Sequence, residues 1–349
     1  MEDKEHPLSC DLEHILEYTR DLWEDIRGER IFISGGTGFF GCWLLESFAW
    51  INQRLKLGSV ASVLTRNPEG FRHKAPHLAT DPCLTLVPGD VRNFDFPGGE
   101  YPFVIHAATE SSAQLIKDDP AVMLSTIVDG THHMLEFSVG ASTQRFLFTS
   151  SGAVYGRQPD QMTHVPEDFA GAANPCEASS SYGEGKRVAE LHCAIKARET
   201  GMTCLIARCF SFVGPYLPLD KHFAIGNFIH DVVSGREIHV KGDGQPLRSY
   251  LYAADLAIWL WTILFRGKSM RPYNVGSEEG ITILEVAKRV AGVSKSHLDI
   301  VQERKPMLGK AVERYVPRTA RAQKELGLRQ LIQLEDAIER TAQWASVRR

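Results

Sequence analysis

The sequence predicts a doubly wound α/β fold, in which helices cover both faces of a parallel sheet, together with a smaller C-terminal lobe. Three observations support this prediction. Near-continuous apolar segments alternate with helical patterns as far as residue 209, and such segments are typical of strands buried on both faces of a parallel sheet. A glycine-rich turn directly follows an apolar segment near the start of the chain. The alternation then breaks down in the C-terminal part.

The first predicted element is an amphipathic helix over Asp11–Arg27, where apolar residues recur near helical spacing and Gly28 follows. Packing of this helix against its own chain is favoured over a contact between two copies. A further helix is predicted from Phe39 to about Leu57. Strands are predicted over 30–36, 59–66, 83–90, 103–108, 145–151 and 203–209.

These elements suggest how the chain divides. Residues 1–28 are assigned to an N-terminal helical extension and residues 29–213 to a cofactor-binding sheet domain, to which 245–273 return. Residues 214–244 and 274–349 break the strand and helix alternation. They are assigned to a smaller, substrate-binding lobe.

Composition excludes several classes of function. The chain has 349 residues, 43% hydrophobic and 23% charged, with a formal net charge of −4. It has no basic run that would track nucleic acid, no apolar stretch long enough to span a membrane and no signal-peptide core at its start. A cytoplasmic location without nucleic-acid or membrane partners is therefore expected. The seven cysteines form no C-x-x-C pair and no H-E-x-x-H is present, so free thiols and no metal are expected.

The turn G-G-T-G-F-F-G follows a predicted strand and opens a predicted helix, which is the context of a dinucleotide site. Glycine there permits a tight turn and a close approach of the backbone to a pyrophosphate. A glycine-rich turn without a ligand is the less favoured alternative. The cofactor-binding residues predicted from this turn are Gly35, Thr37, Gly38, Phe39, Phe40 and Gly41.

The residues that follow the second strand, Thr65-Arg66-Asn67, bear on which cofactor binds. A carboxylate at this position would hold the ribose 2′-hydroxyl of NAD, whereas a guanidinium suits the 2′-phosphate of NADP. Arg66 therefore favours NADP, with NAD possible, unless it is only a solvated surface residue. Further cofactor contacts are expected from Asp90 at the adenine, from the adjacent Val91, and from Ala107 and Ala108 at the sheet.

Tyr182 and Lys186 stand four residues apart, so a helix places both on one face. Ser151 precedes them by some thirty residues, at the end of an apolar strand in T-S-S-G-A-V-Y-G. With the glycine turn, this arrangement resembles the extended short-chain dehydrogenases/reductases, the NAD-dependent epimerase/dehydratase family of sugar nucleotides. The resemblance covers roughly residues 30–328. It includes the segments Y-G-E-G-K, A-R-C-F-S-F-V-G-P, G-D-G-Q-P-L-R-S-Y-L-Y-A-A-D-L-A and Y-N-V-G-S.

The resemblance implies a role for each of these residues. Tyr182 is implied as the proton donor or acceptor at the substrate oxygen, and Lys186 as the residue that contacts the nicotinamide ribose and lowers the pKa of Tyr182. Ser151 is expected to hydrogen-bond the same oxygen. The substrate-binding residues implied in the lobe are Arg248 at a diphosphate, and Asn227 and Asn274 at the nucleotide, with structural hydrogen bonding as the alternative. The family also implies a homodimer formed through a four-helix interface.

Gly152 and Ala153 follow Ser151 and bear on the reaction. Similar 4,6-dehydratases have Asp-Glu at these positions, and UDP-glucuronate decarboxylases have glutamate at the second. Reduction of a keto-sugar nucleotide, or epimerisation, therefore remains. Arg66 favours the reductase, and S-S-G-A-V-Y-G and F-V-G-P-Y-L-P-L-D resemble dTDP-4-dehydro-6-deoxyglucose reductases, which make 6-deoxyhexoses for surface polysaccharides. An NAD-dependent epimerase is the alternative, and a non-catalytic NADP-binding protein is a minor one.

Overall fold

The computed structural model describes residues 6–109, 113–221, 223–293, 298–306 and 311–347, with the backbone alone at 113–115. The strands are β1 Arg30–Ser34, β2 Val60–Thr65, β3 Leu84–Pro88, β4 Phe103–His106, β5 Arg145–Ser151, β6 Thr203–Cys209, β7 Phe212–Val213, β8 Ile238–Val240, β9 Leu247–Arg248, β10 Leu251–Tyr252, β11 Tyr273–Val275, β12 Ile281–Thr282, β13 Ile300–Gln302 and β14 Arg314–Tyr315. The α-helices are α1 Ser9–Thr19, α2 Phe39–Leu55, α3 Pro68–Lys74, α4 Pro76–Ala79, α5 Ala113–Asp118, α6 Pro120–Gly140, α7 Ser181–Thr200, α8 Ala224–Val233, α9 Ala253–Arg266, α10 Ile283–Gly292, α11 Ala320–Leu326 and α12 Leu334–Val347.

The described residues form a central seven-stranded sheet, in the order β3-β2-β1-β4-β5-β6-β11, in which every pair is parallel. The predicted fold class is therefore confirmed. The strand order reverses direction between β1 and β4, and ligands of such sheets bind beyond the carboxyl ends of the strands at this point. The glycine turn after β1 and Ser151 at the end of β5 both lie at that edge.

The strands are apolar because both faces of the sheet are covered. All of β4 is buried, and β5 is buried except at Arg145. One apolar core joins the sheet to α2 and α9 on one face, and another joins it to α6 and α7 on the opposite face. None of the helices in the described residues has both the length and the apolar character needed to span a bilayer.

The N-terminal segment differs from the single helix that the sequence predicts. After α1, the chain continues as a 3-10 helix over Arg20–Ile26. The change occurs at Thr19, whose hydroxyl donates to the Ile15 carbonyl (2.6 Å) and accepts from Nε1 of Trp23 (2.9 Å), a local bonding pattern that competes with regular helix geometry. Trp23 is fully buried and lies in the core shared with α2 and α9, so this segment packs on its own chain.

The smaller lobe contains α8, α10 and α12 with short strands. β13 pairs with β8, and β9 pairs with both β12 and β14. β11 pairs instead with β6 of the central sheet. Asn274 therefore belongs to the sheet, although the sequence pattern assigned residues from 274 onward to the lobe.

Candidate functional site

The glycine turn between β1 and α2 forms a tight cradle. Gly35 has a φ of 71°, in the left-handed region, and a Cβ there would lie 2.5 Å from the carbonyl carbon of Ala107. A Cβ on Gly41 would lie 2.3 Å from the Gly35 oxygen. Side chains other than hydrogen therefore do not fit where the turn meets α2 and the end of β4. This geometry fits a dinucleotide pyrophosphate at the amino end of α2.

Two cations lie near the predicted adenosine end, in addition to Arg66. Arg66 is exposed beyond β2, while Arg92 binds both carboxylate oxygens of Asp90, at 2.8 and 3.0 Å. Lys74, at the end of α3, donates a hydrogen bond to the Thr37 carbonyl in the glycine turn (2.8 Å). The hydrogen bond from Arg92 holds the pKa of Asp90 below its usual value, so this carboxylate stays ionised.

Arg92 and Lys74 were not predicted from the sequence. Arg92 stands two residues after the predicted Asp90, and its charge was the available signal. Lys74 lies far along the chain from the glycine turn, and no spacing pattern links the two. Asn67, which follows Arg66, caps α3 by accepting from the Gly70 amide (2.8 Å), so its side chain has a structural role.

The predicted catalytic residues converge at the carboxyl end of β5. Lys186, on α7, is 2% exposed and donates to the Thr149 carbonyl (2.8 Å) and to the Thr109 hydroxyl (3.0 Å). The close approach of α7 to the segment after Ser151 depends on Gly183, since a Cβ there would lie 2.8 Å from the Ala153 oxygen. The first turns of α7 thereby hold Tyr182 and Lys186 against the end of the sheet.

Burial dominates the electrostatics of this group. It raises the pKa of Tyr182 to about 12, while the nearby Ser151 hydroxyl lowers it by a smaller amount. Burial also lowers the pKa of Lys186 to about 8. The expectation that Lys186 lowers the pKa of Tyr182 toward neutrality is not met in this structure, because the Lys186 ammonium lies 5.9 Å from the ring centroid and desolvation is the larger effect.

Tyr315 also belongs to this group, although the sequence did not predict it. Its hydroxyl lies 3.2 Å from Oγ of Ser151, and its ring packs against Phe210 with centroids 4.6 Å apart. Phe210 in turn closes the space beside Gly152, where a Cβ would lie 2.6 Å from the phenyl ring. A side chain at position 152 therefore requires Phe210 to move.

The predicted lobe residues fall into different environments. Arg248 pairs with Glu313 (2.6 Å) and donates to the Leu247 carbonyl (3.0 Å). Asn227 is half-buried on α8. Asn274 is fully buried, and its side chain bonds the Tyr155 hydroxyl (2.8 Å) and the carbonyls of Val165 and Arg318. These bonds use both the oxygen and the nitrogen of the Asn274 side-chain amide, so the side chain has a structural role.

One cluster among the described residues has the side chains of a metal site. The ligand atoms of His6, Glu46 and His77 lie within 4.8 Å of one another. The Leu8 amide donates to Nδ1 of His6 (3.2 Å), so the neutral ring carries its proton on Nε2, which points at Glu46. A protonated Nε2 donates a hydrogen bond and does not bind a metal. This geometry favours a hydrogen-bonded cluster around the buried carboxylate.

Comparison with known proteins identifies a family and a fold. The model of the NAD dependent epimerase/dehydratase family matches residues 31–276. The chain is 31% identical over 314 residues to UDP-glucuronic acid decarboxylase 1 of Arabidopsis thaliana, covering 89% of this chain and 68% of that protein. It is 29% identical over 323 residues to UDP-glucuronic acid decarboxylase 1 of Danio rerio, covering 91% and 73%.

Solved structures with the same fold include a UDP-glucose 4-epimerase of Thermotoga maritima. Its TM-score is 0.77 at 21% identity, covering 91% of this chain and 99% of the epimerase. A dTDP-glucose 4,6-dehydratase of Bacillus anthracis, in complex with NAD, matches with a TM-score of 0.73 at 19% identity, covering 91% and 97%. At these identities, the structural matches support the shared fold.

Proposed function

Because the chain belongs to the NAD-dependent epimerase/dehydratase family, we propose that it reduces the keto group of a 4-keto-6-deoxy sugar nucleotide, using NADPH. The observation that carries this proposal is the environment of Ser151. Among the described residues, its hydroxyl bonds Tyr315 and the Ala153 amide, and neither is an acid. The nearby Glu190 carboxylate is bonded to Ser150 (2.6 Å) and Arg208 (2.7 Å) instead. A serine with no carboxylate bonded to it suits hydride transfer better than elimination of water, which needs an acid and a base.

Gly152 supports the same conclusion. The resemblance assigns an aspartate to this position in 4,6-dehydratases. Here the Phe210 ring would lie 2.6 Å from a Cβ at residue 152, so an aspartate at this position would require the ring to move. Ala153 likewise lacks the glutamate that the resemblance assigns to UDP-glucuronate decarboxylases.

The protein residues have three tasks in the proposed reaction. A nicotinamide cofactor, when bound, supplies the hydride. Tyr182 protonates the C4 oxygen, and the ammonium of the buried Lys186, 5.9 Å from the Tyr182 ring centroid, favours the phenolate that forms. Ser151 donates a hydrogen bond to the C4 oxygen and holds the carbonyl in line.

The decisive experiment gives the protein NADPH and a panel of sugar nucleotides. We expect stoichiometric oxidation of NADPH with dTDP-4-keto-6-deoxyglucose and no 4-keto-6-deoxy product from dTDP-glucose. An epimerase would interconvert two hydroxyl sugars with no net change in cofactor absorbance. Because the similar proteins include UDP-glucuronic acid decarboxylases, the panel also contains UDP-glucuronate with NAD. A decarboxylase would release CO₂ from this substrate. Either of those results, with NADPH left untouched by keto-sugars, would reject the reductase.

NADP preference is part of this proposal. The support is the exposed Arg66 beyond β2, which lies near the Asp90–Arg92 pair. Arg66→Ala should weaken NADPH binding by about 10- to 100-fold and NADH binding by much less, because a charge-assisted phosphate contact contributes roughly 1.5–3 kcal/mol. Arg72→Ala, on the exposed face of α3 where Arg72 pairs with Glu69, is the matched control. Equal losses for both cofactors would contradict the assignment.

We also propose a homodimer that pairs through α6 and α7. The support is the number of exposed apolar side chains on these two neighbouring helices, whereas isolated exposed apolar residues need no such explanation. These side chains are Val122, Leu124, Val139, Val188, Leu191 and Ile195. Leu191→Lys should convert the dimer to monomer in light scattering, whereas Val301→Lys on β13 should not. A monomeric wild-type protein would reject the proposal.

A further inference from the structure

The hydroxyl of Tyr315 is buried beside the catalytic serine. It lies 3.2 Å from Oγ of Ser151 and 3.4 Å from the carbonyl oxygen of Cys209. Tyr315 reaches this place because β14 runs parallel to β9, where it stands opposite Arg248 in the register. Packing against Phe210, with centroids 4.6 Å apart, holds the ring. The C-terminal strand therefore brings a second phenol to the proposed reaction centre.

The hydrogen bonds of Ser151 allow two arrangements. Its hydroxyl has one proton to donate and two lone pairs to accept with. The Ala153 amide already donates to Oγ (3.1 Å). If Tyr315 also donates to Oγ, both lone pairs are used and the serine proton is available for a substrate oxygen. If Tyr315 donates to the Cys209 carbonyl instead, the Ser151 hydroxyl donates to the Tyr315 oxygen. Its proton is then not available to the substrate oxygen.

The geometry favours the first arrangement. The Tyr315 hydroxyl is closer to Ser151 than to the Cys209 carbonyl, at 3.2 against 3.4 Å. Both distances exceed the range of about 2.5–3.0 Å that is usual for a hydroxyl donor, and the bond to Cys209 is the longer of the two. A chain of hydroxyls that donate in one direction also polarises its last member, which makes the serine a stronger donor.

We propose that Tyr315 is a positioning residue, which donates its hydrogen bond to Ser151 and thereby directs the serine proton to the C4 oxygen of the substrate. The proposal deepens the proposed function and rests on it, since it assumes that Ser151 holds the reacting oxygen. The titratable and charged groups around this pair are Tyr182 and Lys186 from α7, Cys209 from β6 and Arg248 from β9. The Tyr182 hydroxyl also bonds Ser151, but in the proposed reaction it is assigned to the C4 oxygen, which leaves Tyr315 as the phenol that donates to the serine.

A double-mutant cycle tests the role of Tyr315. Tyr315→Phe keeps the ring against Phe210 and removes only the hydroxyl. In single-turnover reduction of dTDP-4-keto-6-deoxyglucose by NADPH, it should slow hydride transfer by about 10-fold, with KM changed less than about 3-fold. In a Ser151→Ala background, the same change should slow hydride transfer by less than about 2-fold, because the group it acts through is gone.

The matched control is Tyr155→Phe. Tyr155 is another buried tyrosine, and its hydroxyl bonds Asn274 (2.8 Å) and Arg208 (2.9 Å) but not Ser151. Its effect on hydride transfer, whatever its size, should be the same in the wild-type protein and in the Ser151→Ala background. If the losses from Tyr315→Phe and Ser151→Ala also multiply, Tyr315 does not act through Ser151 and the proposal is overturned.

A second measurement separates this proposal from the proposed function. With ¹³Cζ-labelled tyrosine at pH 7, the signal of Tyr182 should move in Tyr315→Phe and stay in place when the change is made on the Ser151→Ala protein. If the wild type reduces the keto-sugar, the kinetic cycle decides whether Tyr315 acts through Ser151. If the wild type reduces no sugar nucleotide, the reductase assignment fails and the Tyr182 signal decides. A signal that moves only when Ser151 is present then supports the positioning role, and a signal that does not move in Tyr315→Phe overturns it.

Discussion

Two buried polar clusters of this molecule differ in how completely their groups are paired. At the first, the Glu46 carboxylate accepts hydrogen bonds from His77 (2.9 Å), from His6 (3.2 Å) and from Tyr216. Burial alone would raise the pKa of Glu46, but these donors lower it to about 2. At the second, burial moves Tyr182 and Lys186 toward their neutral forms, with pKa values of about 12 and about 8.

The comparison shows what each kind of cluster is suited to do. A buried charge whose partners compensate desolvation stabilises the fold and holds one protonation state. Groups whose charged forms are disfavoured by burial and not compensated by ionic partners are costly to the fold when charged and are able to exchange protons. Substitutions at Glu46 should therefore lower stability, and substitutions at Tyr182 or Lys186 should lower activity.

The largest expected effect is at the proposed catalytic group of Ser151, Tyr182 and Lys186. Tyr182→Phe should reduce turnover by about two to four orders of magnitude, because general acid catalysis is lost, while cofactor affinity changes little. Steady-state kinetics and cofactor titration by fluorescence measure both. Tyr18→Phe, at a position 44% exposed on α1, is the control. Normal turnover in Tyr182→Phe would show that the cluster of Tyr182 and Lys186 does not carry the activity.

The sequence predicted one cluster and not the other, for a physical reason. Tyr182 and Lys186 are four residues apart on one helix, and Ser151 ends a strand that its apolar residues reveal, so local patterns indicate all three. His6 and His77 approach Glu46 through packing between the N-terminal segment, α2 and α4. Tyr315 is separated from Ser151 by 164 residues. A single sequence has no signal for such long-range pairs.

The secondary structure shows the same difference between features that local patterns determine and features that long-range contacts determine. The predicted strand over 203–209 agrees at both ends with β6, because a strand covered on both faces is mainly apolar. The N-terminal helix was predicted as continuous, yet it changes geometry at Thr19, where a side-chain hydrogen bond with Trp23 intervenes. Asn274 was predicted at the substrate, but it lies in the sheet with its amide bonded to the protein.

The second prediction concerns the pH dependence of stability at Glu46. A carboxylate whose pKa is lowered in the folded protein stabilises it above the unfolded value of 4.5, and this contribution is lost as pH falls from 4.5 to about 2. The difference corresponds to roughly 3 kcal/mol, at about 1.4 kcal/mol per pH unit. Urea unfolding at several pH values should show this loss in the wild type and much less of it in Glu46→Gln. An unchanged profile in Glu46→Gln would show that this cluster does not stabilise the fold.

The third prediction is that Lys186→Met abolishes activity and stabilises the protein. The pKa of Lys186 falls from 10.5 to about 8 because burial disfavours its charge. Folding is therefore penalised at pH values below about 8, and the penalty disappears as pH rises from there to 10.5. Because the lysine also donates two hydrogen bonds, we expect the free energy of unfolding to rise by about 1–2 kcal/mol at pH 7.

The control is Lys196→Met on the same helix. Lys196 pairs with Glu136 and Glu199, so its replacement should give no gain in stability. A destabilised Lys186→Met would show that this lysine is paired as favourably as Glu46.

The smallest expected effect is that of Tyr216→Phe, and it tests whether the Glu46 cluster acts as a unit. The tyrosine is 4% exposed, and its ring packs on Trp344 with centroids 4.9 Å apart. Phenylalanine keeps this packing and removes one of the donors to the carboxylate. Two histidine donors remain, so the loss of stability at pH 7 should be about 1–2 kcal/mol. With one donor fewer, the folded pKa of Glu46 rises toward 4.5, so the acid-induced loss of stability should still begin near pH 4.5 but should be smaller and should end at a higher pH than in the wild type. On the Glu46→Gln protein, the same change should cost much less, because the charged acceptor is gone. Equal costs in both backgrounds would mean that Tyr216 stabilises the protein through its own contacts, and that the pairing of Glu46 depends on the histidines alone.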